Sequence, residues 1–317
     1  MSFAHNIIVQ TIVHRVKEIF IRFRYNKFSF FRKNKKQFYI AVFDEKRIGY
    51  GLADRLKGII SLYALCKIKN IPFRCEFTFP FDLSLFFEPN QYDWQLKDGE
   101  KSSFTSDVRI LIVQGEGNGK RLLWLKTKKQ VHAYLNRDYL SIFRDKYNVS
   151  FDWGELFHEL FRPTDKLNNQ INAHLERINS NYIACVFRFQ SLLGDFKEYH
   201  YTALSSVGQQ DLMNVCMESL YLLREKHHLP ILVTSDSSKF LSYASGLENI
   251  FIISGKVVHL DCTHDVSEDV YMKSFIDLIM LSKADKIYNV VSGKMYPSAF
   301  PLYAAKINHV PFERIVV

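Results

Sequence analysis

FYIAVFD, Phe38 to Asp44, is a continuous apolar run ending on an acid, followed by glycines at Gly49 and Gly51 and a helix-like run from Leu52 to Lys69. A short apolar run bounded by turn residues reads as a strand buried on both faces, so this stretch predicts a strand, loop and helix unit. Outward from it, IPFRCEFTF (71–79) predicts a second strand, Val108 to Val113 a third and Arg121 to Leu125 a fourth. Helical periodicity follows near Asp138 to Lys146 and Trp153 to Phe161. GEGNGK, Gly115 to Lys120, fits neither dinucleotide nor Walker spacing and is expected to be a hairpin before the fourth strand.

Pro163 and Thr164 open a polar helix, Asp165 to Ile178, expected to connect two halves. The pattern then restarts. YIACVFRF (182–189), PILVTSD (230–236), Ile250 to Ile253 and KIYNVV (286–291) predict strands. Leu212 to Lys226, Ser238 to Ala244, Phe275 to Leu281 and Ser298 to Lys306 predict helices. Such alternation gives parallel sheets covered by helices, so the expected class is α/β, with two Rossmann-like doubly wound domains facing a cleft. The expected bounds are a basic amphipathic segment at 1–36, a first domain at 37–175 and a second at 176–317.

The 317 residues carry a formal charge of +9, with 47% hydrophobic and 24% charged side chains, an ordinary globular composition. The charge is concentrated at one end. Residues 1–36 hold nine Lys and Arg against Glu18 alone, whereas the rest is almost neutral with 33 basic and 32 acidic residues. A nucleic-acid binder carries its basic stripe on the folded body, so no nucleic-acid partner is expected. In the same segment Ile8, Ile12, Val16, Ile19, Phe20 and Phe23 recur at helical spacing, with Phe28, Phe30 and Phe31 following. Two readings stand: a helix lying on an anionic membrane surface, or a helix packed on its own domain with a solvated basic side. No run approaches the ~18 apolar residues a spanning helix needs, and no secretory signal is visible. Cys66, Cys75, Cys185, Cys216 and Cys262 form an odd set without C-x-x-C spacing, which predicts reduced thiols and a cytoplasmic protein, peripheral on the inner membrane if the N-terminal segment binds lipid.

Four loops between a strand and a helix carry candidate chemistry, since ligands of doubly wound sheets bind beyond the carboxyl ends of the strands. In GYGLADRLKGI (49–59), Gly49 and Gly51 allow close approach to a phosphate or sugar, with Asp54 and Arg55 beneath; the alternative is a tight turn in which Arg55 pairs with a carboxylate. In FRFQSLLGDF (187–196), an apolar strand delivers Arg188 and Gln190. A guanidinium there suits bidentate capture of a phosphate, the alternative being an ion pair with Asp195 or another acid of the same domain. VTSDSSKFL (233–241) offers Ser235, Asp236, Ser237 and Ser238 for nucleotide contacts, or for capping. SGKMYPSAFPLYAA (292–305) offers Ser298 before helix amides, again as ligand or cap.

In order along the chain, GYGLADRLKGI, the strand carrying Arg188, VTSDSSKFL and SAFPLYAA resemble the GDP-fucose-dependent fucosyltransferase superfamily, which includes the nodulation, α-1,6- and protein O-fucosyltransferases. The resemblance spreads over most of residues 38–306. It implies a GT-B fold, an inverting transfer from GDP-fucose without a required metal or other cofactor, and donor binding mainly by the second domain. It further implies that Arg188 contacts the donor diphosphate, Asp236 lies near the nucleotide and Ser298 belongs to the last phosphate-binding motif. Gly49, Gly51 and Asp54 would then face donor and acceptor. Val186 replaces the family's histidine, Phe189 stands where a second arginine is common, and Pro301 where a serine is common.

The residues support the same chemistry. Expelling a nucleoside diphosphate requires positive charge, for which Arg188 is the candidate, and the acceptor hydroxyl must give its proton to a carboxylate, Asp54 first and Asp195 second. The expected partners are a nucleotide sugar and a glycan or lipid-linked glycan acceptor. Two rivals are the same fold with another nucleotide sugar, and a non-catalytic nucleotide or glycan binder. Tyr50 and Tyr296 are candidates for stacking on sugar rings. HLDCTH (259–264) crowds zinc-type ligands without their usual spacing and predicts a surface loop. His227 and His228 predict a helix C-terminus, and no D-x-D motif occurs.

Overall fold

A computed structural model describes residues 3–34, 36–47, 50–195, 202–255 and 268–317. Gly49, Cys262 and the HLDCTH stretch lie outside the described residues. Two compact units divide the chain, Met1–Arg162 and Pro163–Val317. The boundary precedes the helix expected to connect them: α6 (Asp165–Ile178, numbering helices in chain order) packs within the second unit against α9 (Glu268–Ser282).

In the first unit α1 (Phe3–Tyr25) precedes β1 (Tyr39–Phe43), α2 (Leu52–Lys69), β2 (Phe73–Phe77), a short β3 (Phe87–Pro89) and β4 (Val108–Val113). There follow α3 (Lys120–Leu123), β5 (Gln130–Leu135), α4 (Leu140–Tyr147), α5 (Trp153–Leu160) and a short β6 (Phe161–Pro163). The sheet order is β2-β1-β5-β4 and every pairing is parallel, with Ala41 opposite Cys75 on one side and Ala133 on the other. Two expectations fail here. GEGNGK forms a single 3₁₀ turn, Glu116–Asn118, leading into α3 rather than a hairpin, and Arg121 to Leu125 is not a strand. The fourth strand is β5, whose polar Gln130 and His132 hid it from an apolar-run reading. Gln130 is accommodated because its amide accepts from Ser102 N at 2.8 Å and donates to Glu100 O at 2.6 Å, while burial drives the His132 pKa down to about 3, keeping the ring neutral.

The second unit continues from α6 with β7 (Ile183–Phe187), α7 (Ser206–His227), β8 (Ile231–Ser235), α8 (Ser238–Ala244) and β9 (Ile250–Phe251). After α9 come β10 (Lys286–Val291), α10 (Phe300–Ile307) and β11 (Phe312–Val316), the last a strand not anticipated. Its sheet is also wholly parallel, in the order β11-β10-β7-β8-β9. All five residues of β7 and of β8 are buried, as continuous apolar strands in a covered parallel sheet should be. Cys185, Phe187, Cys216, Leu220, Val233 and Phe240 lie in one core beneath.

Candidate functional site

In the second sheet, chain order reverses between β7 and β10, which places a topological switch point beyond the carboxyl ends of these two central strands. Arg188 leaves β7 at that point. Register aligns Phe187 with both Ser235 and Val290, so FRFQ, SDSS and the turn after β10 emerge side by side. The Tyr296 amide donates to the Arg188 carbonyl at 3.1 Å, tying the turn after β10 to the arginine.

The expected alternative for Arg188 is partly realised: its Nη1 lies 2.8 Å from Asp236 Oδ2, while 19% of its side chain stays exposed. The oxygens of Asp236 also accept from Phe189 N at 2.8 Å and Gln190 N at 2.6 Å, and the carboxylate is almost wholly covered, so it orients the arginine and its loop. Burial pushes the Asp236 carboxyl above its ordinary range, opposed by the Arg188 cation and the amides. Gln190 is held at φ 55°, and its buried Oε1 has no hydrogen-bond partner among the described residues.

Asp195, the second candidate base, is committed to α8. Its Oδ2 accepts from Ser237 Oγ at 2.9 Å, Ser238 Oγ at 3.2 Å and Lys239 N at 2.8 Å, a carboxylate at the positive end of a helix. Ser237 Oγ in turn caps α8 by accepting from Phe240 N, and Ser235 Oγ accepts from Ser237 N. Of these serines, Ser237 is the helix cap. Ser298 Oγ accepts from Phe300 N at 3.2 Å in the first turn of α10, and its carbonyl is braced by Arg314 of β11 at 3.3 Å. Arg314 is aimed by the buried Asn289, which accepts from its Nε at 3.2 Å. This brace depends on β11, a strand that the residue pattern does not announce.

In the first unit, Gly51 is the N-cap of α2 with φ −65°, and a Cβ there would meet nothing within 4 Å, so the space beside it is open. The demanding glycine is Gly58, where a Cβ would lie 2.6 Å from the Leu135 carbonyl oxygen: it sets the close packing of α2 on β5. Asp54 is ion-paired with the buried Lys57. Arg55 does not face a ligand. It is 2% exposed, donates from Nε to Tyr50 O at 2.9 Å and from Nη1 to Phe79 O, and stands over the Phe77 ring at 4.9 Å. Tyr50 has φ 99° at the mouth of the turn, and Asp44, a buried acid the sequence reading passed over, pairs with Lys46 at the end of β1.

Among the described residues, no three His, Cys, Asp or Glu side chains converge to hold a metal ion. Cys66, Cys75, Cys185 and Cys216 are buried free thiols, pushed up by burial. His227 closes α7 with His228 as its C-cap, and its Nε2 lies 2.7 Å from the Tyr288 hydroxyl.

No family model matches the chain, and no curated protein matches it. Solved structures do. A mutant of Arabidopsis thaliana FUT1 in complex with GDP superposes with a TM-score of 0.58 at 11% identity, covering 94% of this chain and 74% of that one. The fucosyltransferase NodZ from Bradyrhizobium gives 0.52 at 13% identity over 86% of this chain and 92% of its own. NodZ α-1,6-fucosyltransferase soaked with GDP-fucose gives 0.52 at 13% over 86% and 93%. The α/β fold of this chain is therefore the fold shared by these fucosyltransferases.

Proposed function

We propose that the protein is an inverting glycosyltransferase that uses a GDP-sugar, with fucose as the sugar and a bacterial surface glycan as the acceptor. The observation that carries this reading is Arg188: a partly exposed guanidinium at the carboxyl end of the central strand, beside the switch point, aimed by a buried carboxylate that two backbone amides hold in place. An arginine fixed in this way is pre-organised for a diphosphate, since its orientation is set before the ligand arrives. The Ser298 turn leads into α10, whose N-terminal end adds partial positive charge. The likeness in fold to GDP-complexed fucosyltransferases agrees with this choice of nucleotide.

In the reaction, the acceptor oxygen bonds to the anomeric carbon as the bond to the diphosphate breaks, and GDP leaves with the electron pair. Arg188 opposes the charge growing on the leaving phosphate, and Asp236 keeps the guanidinium in place. The acceptor's proton passes to a carboxylate. The candidates remain Asp54, which pairs with Lys57, and Asp195, which accepts hydrogen bonds at the start of α8. The scheme assigns no step to a metal, because the leaving-group charge is met by Arg188 and helix amides.

Calorimetric titration of the full chain with GDP, UDP and CMP, each with and without EDTA, tests the donor. The expected result is tight binding of GDP alone, unaffected by EDTA. Binding of UDP alone, or strict dependence on a divalent ion, contradicts the proposal. Release of free sugar from GDP-fucose by the wild type, lost in Arg188→Ala, separates an enzyme from a non-catalytic binder.

A further inference from the structure

The first unit carries a feature that sugar transfer does not use. Helix α1 packs on the edge strand β4 with its polar side inward. An edge strand presents unpaired amides and carbonyls, and α1 answers them. Glu18 Oε1 accepts from Ile112 N at 2.7 Å, Arg121 donates to Ile112 O at 2.6 Å, and the two side chains close the arrangement with an ion pair at 2.6 Å. Arg22 donates to Thr105 O at 2.7 Å, and Thr11 to Asn118.

Because the polar side is used inward, the apolar side faces out. At about 100° per residue, Val9, Ile12, Val16, Ile19, Phe20 and Phe23 fall within one arc of about 100°, and Ile12, Val16 and Ile19 are 58%, 62% and 59% exposed. Phe28, Phe30 and Phe31 continue the apolar surface, with Phe30 and Phe31 the most exposed of all. Cations border the arc on both edges, Arg15 on one and Lys17 and Arg24 on the other, positions from which long side chains reach polar headgroups.

Beside the first edge lies a cavity of about 400 Å³ lined by Arg15, Arg22, Arg109, Lys120, Lys126 and Lys129, with the exposed Trp124 at its wall. Among these cations, Arg15 lies 3.8 Å from Glu18, which also holds Arg121 and the Ile112 amide. Burial, with the neighbouring Arg22, Arg32 and Arg109 and against the opposing Asp107, holds the Lys129 ammonium below its ordinary value.

We propose that α1, the Phe28–Phe31 turn and the cavity at Arg109 and Lys126 together form a docking face for an anionic lipid bilayer, with the apolar arc in the headgroup layer and a lipid phosphate in the cavity. Charge complementarity selects this occupant. A second copy packed through the same face would bring two strongly basic segments together, and a polyanion alone would leave the apolar arc in water. The inference is independent of the donor site.

Co-sedimentation of the full chain with vesicles tests it, using pure phosphatidylcholine against phosphatidylcholine with about one part in three of phosphatidylglycerol. Binding is expected only with the anionic vesicles, and to weaken as salt is raised. A Val16→Ser, Phe20→Ser, Phe23→Ser variant should lose about tenfold or more in affinity, as should Arg109→Gln with Lys126→Gln and Lys129→Gln. All these side chains point to solvent or into the cavity, and circular dichroism checks that each variant stays folded. The proposal is overturned by absence of binding to either vesicle, by equal binding to both, or by wild-type binding of either variant. It is equally overturned if the chain forms a dimer without lipid that the serine variant dissolves, since the face would then belong to a second copy.

Discussion

Arg55 in the first unit and Arg188 in the second both follow the first strand of a parallel sheet, and the two guanidiniums are used in opposite ways. Arg55 is enclosed: two carbonyls accept from it, the Phe77 ring lies against it, and 2% of the residue is exposed. Arg188 is held from below by a buried carboxylate, with 19% of its side chain at the surface. Arg55 joins the turn after β1 to the end of β2, whereas Arg188 offers positive charge at the end of its strand. The same residue type, in the first turn of the helix after one strand and directly at the end of the other, is thus a brace in one unit and a candidate ligand group in the other, and the difference lies in what accepts its hydrogen bonds.

The sharpest way to break this contrast is Arg188→Ala, which should lower GDP-sugar turnover by about 10²–10³-fold, or roughly 2.7–4 kcal/mol of transition-state stabilisation. Arg188→Lys should recover only part of it, because an ammonium lacks the planar fork. Steady-state kinetics with GDP-fucose reads both. Arg55→Met should do the reverse, costing about 2–3 kcal/mol of stability in denaturant unfolding as the Tyr50 and Phe79 carbonyls lose a charged donor, with GDP affinity unchanged. A variant that keeps its stability but loses GDP would exchange the two roles.

The glycines sharpen the same point. Gly58→Ala forces a methyl against the Leu135 carbonyl and should destabilise by about 1–3 kcal/mol, while Gly51→Ser, at an N-cap with open space, should leave the melting temperature almost unchanged. Thermal melts decide. The smallest effect expected concerns pH. Arg74 grips Glu100 at 2.8 and 3.1 Å and holds its carboxyl below the ordinary range. Its stabilisation is therefore complete above the usual glutamate value of about 4.3 and is lost as pH falls through the depressed value. Between about pH 5 and pH 3 the wild type should lose more melting temperature than Glu100→Gln.

Much of the architecture was legible where apolar runs were uninterrupted. The strands at residues 183–187 and 286–291 and the helices at 165–178 and 238–244 lie where the pattern put them. The strand at Gln130–Leu135 was not legible, because its polar side chains are satisfied by Ser102 and Glu100, residues that sequence adjacency does not bring near. For α1 the periodicity was plain and the direction was not: only the open edge of β4 explains why Glu18 faces inward and Phe20 outward. At the candidate site, the strand end carrying Arg188 could be read from the sequence. Its pairing with Asp236, and the commitment of Asp195 to α8, depend on how β7 and β8 are aligned.

The central claim is that Arg188 meets the terminal phosphate of a nucleoside diphosphate. Calorimetric titration of GDP and GMP into the wild type and Arg188→Ala tests it most directly. The wild type should prefer GDP by a wide margin, and the substitution should erase most of that preference while leaving GMP affinity nearly intact. An undiminished preference for GDP in Arg188→Ala would contradict the account.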